Sequence, residues 1–232
     1  MNNKSAIILC SGGLDSVITA NYAKNKLGYD RISILLFNYG QKSLVNERKF
    51  SKNCARNIKA EFKEIDIKDL GEMSTSLINK EGSARKMSKK DLKDTKRENE
   101  KWYVPCRNLV FLSYALAYAE SLYIKDKIKS EIFVGFKCEG KESYPDTTKK
   151  FIDKLNDVAK IGCSYPIKIK APLIKMDKED IVILGERLGV DFRKTFSCYL
   201  GKNKHCGECL SCQLRKAGFY WSGIADTSSY LT

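Results

Sequence analysis

The sequence lacks any apolar stretch long enough to cross a membrane, and the apolar run at residues 6–10 is too short for a signal peptide. We therefore expect a cytoplasmic protein with no membrane partner. Two familiar nucleotide signatures are missing as well: the Gly-Lys-Ser/Thr ending of the P-loop and the GxGxxG of dinucleotide folds. Those two phosphate-loop classes are excluded. No internal repeat is evident.

The chain has 232 residues, of which 43% are hydrophobic and 30% charged. This length suits one α/β domain with a small appendage, and the composition is typical of an ordinary soluble protein. Basic residues exceed acidic residues by 42 to 28, for a formal net charge of +14. A nucleic-acid partner is one interpretation of that excess. We favour an anionic small-molecule substrate, because the basic residues are scattered along the chain rather than gathered in one stripe.

Apolar runs and helical spacings alternate along the chain. Strands are predicted at residues 6–10, 32–37, 62–67, 131–136 and 167–170, and helices at 16–27, 44–60, 107–123, 146–161 and 178–188. This order predicts a doubly wound parallel sheet that binds ligands at the carboxyl ends of its strands. The charged segment 79–101 has little to bury and predicts an exposed loop or mobile insertion, such as an active-site lid. We place the α/β domain at residues 1–194 and a metal-binding segment at 195–232.

The first predicted strand leads into Ser11-Gly12-Gly13-Leu14-Asp15-Ser16 and then into a helix. The glycines let successive N–H groups converge on an anion, and the helix adds its positive end. We predict that Cys10 and this loop bind the phosphates of ATP, with Asp15 holding Mg²⁺ against them. The alternative is a simple helix-capping turn, since serine, aspartate and glycine are favoured there.

Four cysteines, Cys198, Cys206, Cys209 and Cys212, follow the spacing C-x7-C-x2-C-x2-C. Four thiolates at this spacing suit one tetrahedral structural zinc. An iron–sulfur cluster is the second possibility and free buried thiols are the third. The only histidine, His205, is interpreted as a neighbour of the site rather than a ligand.

The other five cysteines have no predicted catalytic role. Cys10 and Cys54 are expected to pack as small hydrophobic residues, and Cys163 has no assigned chemistry. Cys106 and Cys138 lie near the predicted site and could be reactive.

The loop Ser11–Ser16 resembles the pyrophosphate loop of the N-type ATP pyrophosphatases, which include synthetases that adenylate a carbonyl oxygen. Four further segments resemble one member, the 7-cyano-7-deazaguanine synthase family, and they occur in that family's order. They are Asn38-Tyr39-Gly40-Gln41, Val104-Pro105-Cys106-Arg107-Asn108, Tyr144-Pro145-Asp146, and the tail from Ser197 through the four cysteines to Arg215.

The resemblance implies an ATP- and Mg²⁺-dependent ligase that adenylates the carboxylate of 7-carboxy-7-deazaguanine. Ammonia would then give the amide, and a second adenylation the nitrile. It further implies a structural zinc on the tail cysteines and a homodimer. The matching segments assign substrate contacts to the following residues: Tyr39, Gln41, Arg107, Asn108, Tyr144 and Asp146.

Catalytic roles are predicted for Asp15, Arg107 and Lys178. Arg107 suits a phosphoryl group or the substrate carboxylate, because its planar fork matches such groups. For Arg107 and Lys178 the alternative is an ordinary surface cation.

The chain departs from the family pattern at Asn38, at Cys106 and over residues 140–148. In that last segment the family has an acidic residue and a Cys-Arg pair that this chain lacks. Glu139 or Glu142 is therefore a candidate replacement carboxylate for the edge of the base. These departures keep a second hypothesis open, in which the activated acid passes to an amine on a protein or nucleic acid. A tRNA-modifying ATP pyrophosphatase and a zinc-stapled nucleic-acid-binding module with an inactive ATP loop are lesser alternatives.

Overall fold

The computed structural model describes residues 4–82, 85–93, 95–137 and 144–231. Parallel strands form one sheet in the order β3-β2-β1-β4-β5. Their bounds are β1 Ser5–Leu9, β2 Arg31–Asn38, β3 Glu61–Asp66, β4 Ser130–Val134 and β5 Ile169–Lys170. The chain moves outward from β1 to β3 and then returns to place β4 on the other side of β1. The switch point of the sheet therefore lies between β1 and β4, where such sheets bind ligands.

Helices cover both faces of the sheet. Their bounds are α1 Leu14–Asn21, α2 Leu44–Asn57, α3 Lys68–Glu72, α4 Lys96–Trp102, α5 Arg107–Asp126, α6 Lys149–Gly162, α7 Lys178–Arg187 and α8 Leu210–Ser222. Alternate β1 side chains face opposite layers, because successive residues of a strand point to opposite faces. Ile8 packs with Ile18 and Ile181 of α1 and α7, whereas Ile7 packs with Leu112 of α5 and Ile152 of α6. The predicted doubly wound α/β fold is confirmed.

Several predicted boundaries shift for local reasons. The first helix begins at Leu14, inside the glycine loop, and passes into a π-helical turn at Tyr22–Lys26. The helix predicted at 146–161 is instead a 3-10 turn, Pro145–Thr147, followed by α6. Thr148 separates the two because its side chain caps α6 by accepting from the Phe151 N–H at 3.1 Å.

Three helices were not predicted, α3, α4 and α8. The sequence interpretation assigned the residues of α8 to a metal-binding segment, because their cysteine spacing is more conspicuous than their helical periodicity. In the structure α8 packs along α7. A Cβ on Gly218 would lie 2.3 Å from Lys178 Cγ, so glycine is what allows this close approach.

The expectation that segment 79–101 has little to bury is wrong for several of its described residues. Met87 and Glu98 are each 5% exposed, and two helical pieces, Lys89–Lys93 and α4, lie within this part of the chain. Glu98 is buried because it accepts a hydrogen bond from the Trp102 indole at 3.1 Å. The backbone of Met87 donates to Glu208 O at 2.9 Å and so joins this segment to the tail. Its mobility stays a prediction.

None of the helices described here is long and apolar enough to cross a membrane.

Candidate active site

A cavity of about 300 Å³ opens at the carboxyl ends of β1, β2 and β4. A second cavity of about 230 Å³ adjoins it on the β4 side, and Asp15, Arg107 and Lys178 line both. The site therefore lies at the switch point of the sheet, where the fold predicts it. Glycine at position 135 permits this arrangement, since a Cβ there would lie 2.9 Å from the backbone of Asp15 and Ser16.

The loop between β1 and α1 forms one end of the cavity. Its residues Ser11, Gly13, Leu14, Asp15 and Ser16 line the cavity, as does Cys10. Gly12 lies behind them with φ +74°, and a Cβ there would lie 2.5 Å from Phe50 Cβ. Its carbonyl oxygen accepts from the Phe196 N–H at 2.9 Å. The loop is therefore held in place by α2 and by the tail, and we call this region the phosphate end.

Lys178, at the first residue of α7, faces the loop. Its Nζ lies 2.9 and 2.8 Å from the two carboxylate oxygens of Asp15. The structure thus brings together a lysine and an aspartate that were both predicted to act on ATP. The interpretation of Lys178 as an ordinary surface cation is wrong, because its side chain is only 15% exposed. The prediction that Asp15 holds Mg²⁺ remains untested.

Cys10 occupies the last position before the loop. Its thiol is buried in the core beside Cys54 and lies 3.5 Å from Ser16 Oγ, so the expected packing role is confirmed. Its pKa is lowered to about 7 because hydrogen bonding from Cys54, with smaller contributions from Ser16 and Ser51, outweighs burial. Cys10 also lines the cavity.

Aromatic side chains form the other end of the cavity. Phe37 and Phe111 stack with centroids 4.2 Å apart and an interplanar angle of 8°, and Tyr39 meets Phe111 edge-on at 5.3 Å. Trp102 packs against Tyr199 at 5.0 Å. All five side chains line the cavity. Such a surface suits a flat heteroaromatic ring, and we call this region the ring end.

Arg107 lies between the two ends. Its Nη1 donates to Tyr39 Oη at 3.3 Å, and its Nε is buried with no hydrogen-bond partner among the described residues. Burial opposes the charge, but Tyr39, Tyr199 and Asp146 outweigh it and raise the pKa of Arg107 further. Arg107 is therefore a half-buried, permanently charged donor that faces the cavity. The alternative of a surface arginine is wrong.

Burial also shifts the acids near Arg107. It raises the pKa of Tyr39 to about 12, although Arg107 opposes the shift. It raises the pKa of Glu47 as well, against hydrogen bonds from Ser43 and Gln41. In both groups the loss of hydration disfavours the charged form, as is common for titratable side chains in functional clefts.

The remaining predicted substrate residues have different surroundings. Asn108 and Tyr144 line the second cavity. Gln41 lies behind the wall, where its side chain accepts from the Tyr39 N–H and donates to Phe37 O and Glu47. Asp146 caps α5 by accepting from the Asn108 N–H at 3.0 Å. Gln41 and Asp146 thus contact neighbouring protein groups, and their predicted substrate contacts remain predictions.

Sequence reasoning missed several side chains that line the cavity. They include Ser43, Glu47, Trp102, Phe111, Ser211 and Arg215. Most come from helices or from the tail, and only their proximity in the fold distinguishes them from other residues of their type. Glu47 lies in the first turn of a helix that follows a predicted binding segment, which is the one signal that could have identified it. The predicted roles of Cys138, Glu139 and Glu142 fall outside the described residues, and Cys106 is exposed at the start of α5.

The four tail cysteines form a buried cluster whose sulfur atoms all lie within 4.8 Å of one another. The Sγ atoms of Cys206 and Cys212 are 3.8 Å apart, the edge expected for a tetrahedron with metal–sulfur bonds of about 2.3 Å. Backbone N–H groups of Glu208 and Cys209 point at Cys206 Sγ, which favours the thiolate form. The donor set therefore fits a single metal ion.

His205 lies beside this cluster and is not one of the four metal-binding residues. Its Nε2 accepts from the Ser197 N–H at 3.1 Å, and its ring packs between Phe196 and Tyr230. Phe196 also donates its N–H to the phosphate end. The tail thus connects the cysteine cluster to the loop through a short run of residues.

Comparison with known families and proteins agrees with this site. Residues 5–223 match the family described as "Queuosine biosynthesis protein QueC". A 7-cyano-7-deazaguanine synthase from Methanosphaera stadtmanae is 38% identical over 228 residues, which cover 97% of each chain. The enzyme of the same name from a Nitratiruptor species is 39% identical over 227 residues, covering 97% of this chain and 98% of the relative.

Solved structures with more distant sequences were also found. The U34-tRNA thiolase NcsA from Methanococcus maripaludis, with its [4Fe-4S] cluster, is 14% identical with a TM-score of 0.46, covering 96% of this chain and 65% of that one. A 4-thiouridine synthetase in complex with RNA and bound ATP is 14% identical with a TM-score of 0.47, covering 95% and 50%. At this distance they carry no argument about function.

Proposed function

The chain belongs to the QueC family, and from that premise we propose that it is a 7-cyano-7-deazaguanine synthase that uses ATP to convert 7-carboxy-7-deazaguanine and ammonia into the nitrile. The observation that carries the proposal is a single cavity with a glycine loop and a lysine at one end and an aromatic surface at the other. The first end suits a polyphosphate. The second suits the flat ring of the acid.

In the proposed first step, a carboxylate oxygen of the acid attacks the α-phosphorus of ATP. The bond from that phosphorus to the bridging oxygen breaks, and pyrophosphate leaves at the phosphate end. The loop N–H groups and Lys178 stabilise the charge that develops there. Arg107 holds the carboxylate through its free Nε–H, since a guanidinium matches a planar carboxylate.

Ammonia then attacks the acyl carbon and AMP leaves, which gives the amide. A second ATP activates the amide oxygen in the same way, and loss of AMP and protons gives the nitrile. Each carboxylate oxygen thus departs on one AMP, and the cycle consumes two ATP. The enzyme is accordingly a carbon–nitrogen ligase in this proposal, with AMP and pyrophosphate as products.

Two metal ions complete the proposal. Mg²⁺ would neutralise the phosphates of ATP, with Asp15 as its protein ligand once Lys178 turns to the phosphates. A structural Zn²⁺ would be held by Cys198, Cys206, Cys209 and Cys212. Four sulfur atoms within 4.8 Å of one another surround a space suited to one ion, which favours zinc over a multi-iron cluster.

A cytoplasmic homodimer is the remaining part of the proposal. Large apolar side chains stay exposed near the ends of α5 and α6, among them Ile124 at 63% and Ile161 at 88% exposure. These two helix ends are adjacent, since Ser164 donates its N–H to Glu120 on α5. Light scattering at several protein concentrations tests the dimer directly.

Incubation of zinc-loaded protein with 7-carboxy-7-deazaguanine, Mg-ATP and ammonium, followed by mass spectrometry, tests the function. We expect the amide first and then the nitrile, with two AMP formed per nitrile. Omission of ammonium provides the control, because it should abolish both products. Absence of amide and nitrile from fully loaded, folded protein would rule the proposal out.

A further inference from the structure

Glu47 lines the ring end of the cavity, and the chemistry proposed above gives it no role. It lies in the first turn of α2, beside Tyr39 and Ser43. Among the described residues, the two cavities contain only one other carboxylate, Asp15. Asp15 is already engaged by Lys178 at the phosphate end. Glu47 is therefore the carboxylate available to a ligand at the ring end.

The carboxylate of Glu47 is held by neutral groups. Ser43 Oγ donates to Oε1 at 2.5 Å, and Gln41 Nε2 donates to Oε2 at 2.9 Å. No salt bridge to Glu47 is found within the described parts of the chain. Each carboxylate oxygen can accept two hydrogen bonds, so each retains one acceptor position. The two bonds from Ser43 and Gln41 also fix the plane of the carboxylate.

A half-buried carboxylate with no salt bridge among the described residues is costly. Burial accordingly raises the pKa of Glu47, although the bonds from Ser43 and Gln41 and the nearby charge of Arg107 oppose the shift. N–H donors from a ligand would relieve this cost. The aromatic side chains that line the same cavity as Glu47 indicate what kind of ligand bears those donors. Phe37, Phe111 and Trp102 form a surface for a flat ring, so the donors belong to the edge of a heteroaromatic ring.

The planar carboxylate discriminates between ring edges. Two adjacent N–H donors, as on the N1–H and 2-amino edge of a guanine-type ring, can each bond to one oxygen of an ionised carboxylate. The corresponding edge of adenine presents one amino donor beside one acceptor nitrogen, so an ionised carboxylate forms only one such bond with it. The guanine-type edge is therefore the better match.

We propose that Glu47 determines specificity by accepting hydrogen bonds from the N1–H and the 2-amino group of the deazaguanine ring. This inference rests on the proposed function and names the residue that recognises the edge of the ring. Ser43 and Gln41 act through Glu47 and are positioning residues. This gives the family segment containing Gln41 a physical role, since the Gln41 side chain orients the carboxylate rather than the substrate.

The test compares 7-carboxy-7-deazaguanine with its analogue that lacks the 2-amino group, using pyrophosphate release to obtain kcat and KM. Wild-type protein should favour 7-carboxy-7-deazaguanine over the analogue in kcat/KM by about 10- to 100-fold, the usual range for a paired donor edge. In Glu47→Gln the preference should fall to within about 3-fold, because the amide replaces one acceptor by a donor. A merely structural role would lower activity with both acids equally.

Glu64→Gln is the matched control, because Glu64 lies on β3 and pairs with Arg48 outside the cavity. It should retain the wild-type preference. A parallel measurement compares ATP with its analogue that lacks the 6-amino group. If Glu47→Gln changes that preference instead, Glu47 reads adenine and the assignment to deazaguanine is overturned.

Wild-type protein alone can still overturn the inference if Glu47→Gln does not fold. Equal kcat/KM for the two acids overturns the inference about Glu47 while leaving the proposed function intact. Failure of wild-type protein to release pyrophosphate with either acid removes the proposed function, and the inference with it. A strong wild-type preference that Glu47→Gln retains shows that another residue reads the amino group.

Discussion

The two ends of the cavity are built in different ways. The phosphate end consists of consecutive residues of one loop, with Lys178 the main addition from elsewhere. The ring end collects single side chains from β2, α2, α4, α5 and the tail, among them Phe37, Glu47, Trp102 and Tyr199. A short motif can specify the first kind of site, whereas only the complete fold assembles the second.

The contrast has a physical origin. Binding a phosphate needs N–H groups and a positive helix end, and these belong to the backbone wherever glycine permits the required shape. Binding a ring needs stacked faces and placed acceptors, and these are side-chain properties. We therefore expect the phosphate end to fail when its backbone is altered, and the ring end to fail residue by residue.

The largest expected effect comes from Gly12→Ala. The added Cβ would meet Phe50 Cβ at 2.5 Å in a backbone with φ +74°, so the loop must move. We expect acid-dependent pyrophosphate release to fall by about 1,000-fold, the upper range for loss of aligned anion donors. Gly28→Ala is the matched control, because Gly28 has φ +70° but no atom within 4 Å. It should cost about 1 kcal/mol of stability and leave kcat unchanged; equal losses in both variants would contradict this account of the loop.

Lys178→Met tests the side-chain contribution to the phosphate end. Loss of the cation that faces Asp15 should lower kcat by about 100-fold, with a smaller change in the KM of the acid. Lys194→Met removes a half-exposed lysine that pairs with Asp191 at 3.8 Å and should have wild-type kinetics. An increase in the KM of the acid alone would instead place Lys178 at the ring end.

Cys206→Ser tests how far the tail supports the loop. We expect bound metal to fall from about one ion per chain to near zero, because one of four thiolates is lost. ATP binding should weaken by about 10-fold through loosening of the Phe196 N–H to Gly12 O contact. Metal analysis and ATP titration measure the two effects. Cys163→Ser, at a cysteine outside the cluster, should retain the bound metal and the ATP affinity of wild type. Unchanged ATP affinity in Cys206→Ser would show that the tail does not support the loop.

The smallest effect is expected from Asp226→Asn, and it is a change in how stability depends on pH below about 4. Burial raises the pKa of Asp226, but its hydrogen bonds to Arg215 outweigh this and lower the pKa from 3.8 to about 2. A lowered pKa stabilises the fold above pH 4, and this stabilisation is lost as the pH falls from about 4 to 2. Wild type should lose about 2 kcal/mol more than Asp226→Asn over that interval.

Urea unfolding at several pH values measures this difference. Asp157→Asn serves as the control, because Asp157 is an exposed residue on α6 whose lysine partners contribute little. It should follow the wild-type curve closely. Parallel pH curves for wild type and Asp226→Asn would show that the Arg215–Asp226 pair does not hold the tail.

The fold could be predicted from the sequence because its strands are apolar and its helices periodic. β1 is the clearest case, since Ala6, Ile7 and Ile8 are each 0% exposed and read as one uninterrupted apolar run. Helix α8 escaped prediction because its cysteines suggested a metal segment. Segment 79–101 was misjudged because Met87 and Glu98 are buried by partners elsewhere in the fold, which local composition does not reveal.

Some parts of the site could likewise be predicted from the sequence and others could not. The loop, the cysteine cluster and Arg107 could be identified because local motifs carry them. The tail's contribution to the cavity could not, since Tyr199 precedes α8, Ser211 lies on it, and both reach the cavity only in the complete fold. Glu47 was missed because a glutamate in the first turn of a helix is common. Its contacts with Ser43 and Gln41 distinguish it, and these are visible only in the structure.

The most direct test of the account is exchange of labelled pyrophosphate into ATP without ammonia, measured with and without 7-carboxy-7-deazaguanine. If the two ends of the cavity bind ATP and the acid together, label enters ATP only when the acid is present, and Gly12→Ala abolishes the exchange. Exchange that is independent of the acid, or no exchange with folded, metal-loaded protein, would contradict the account.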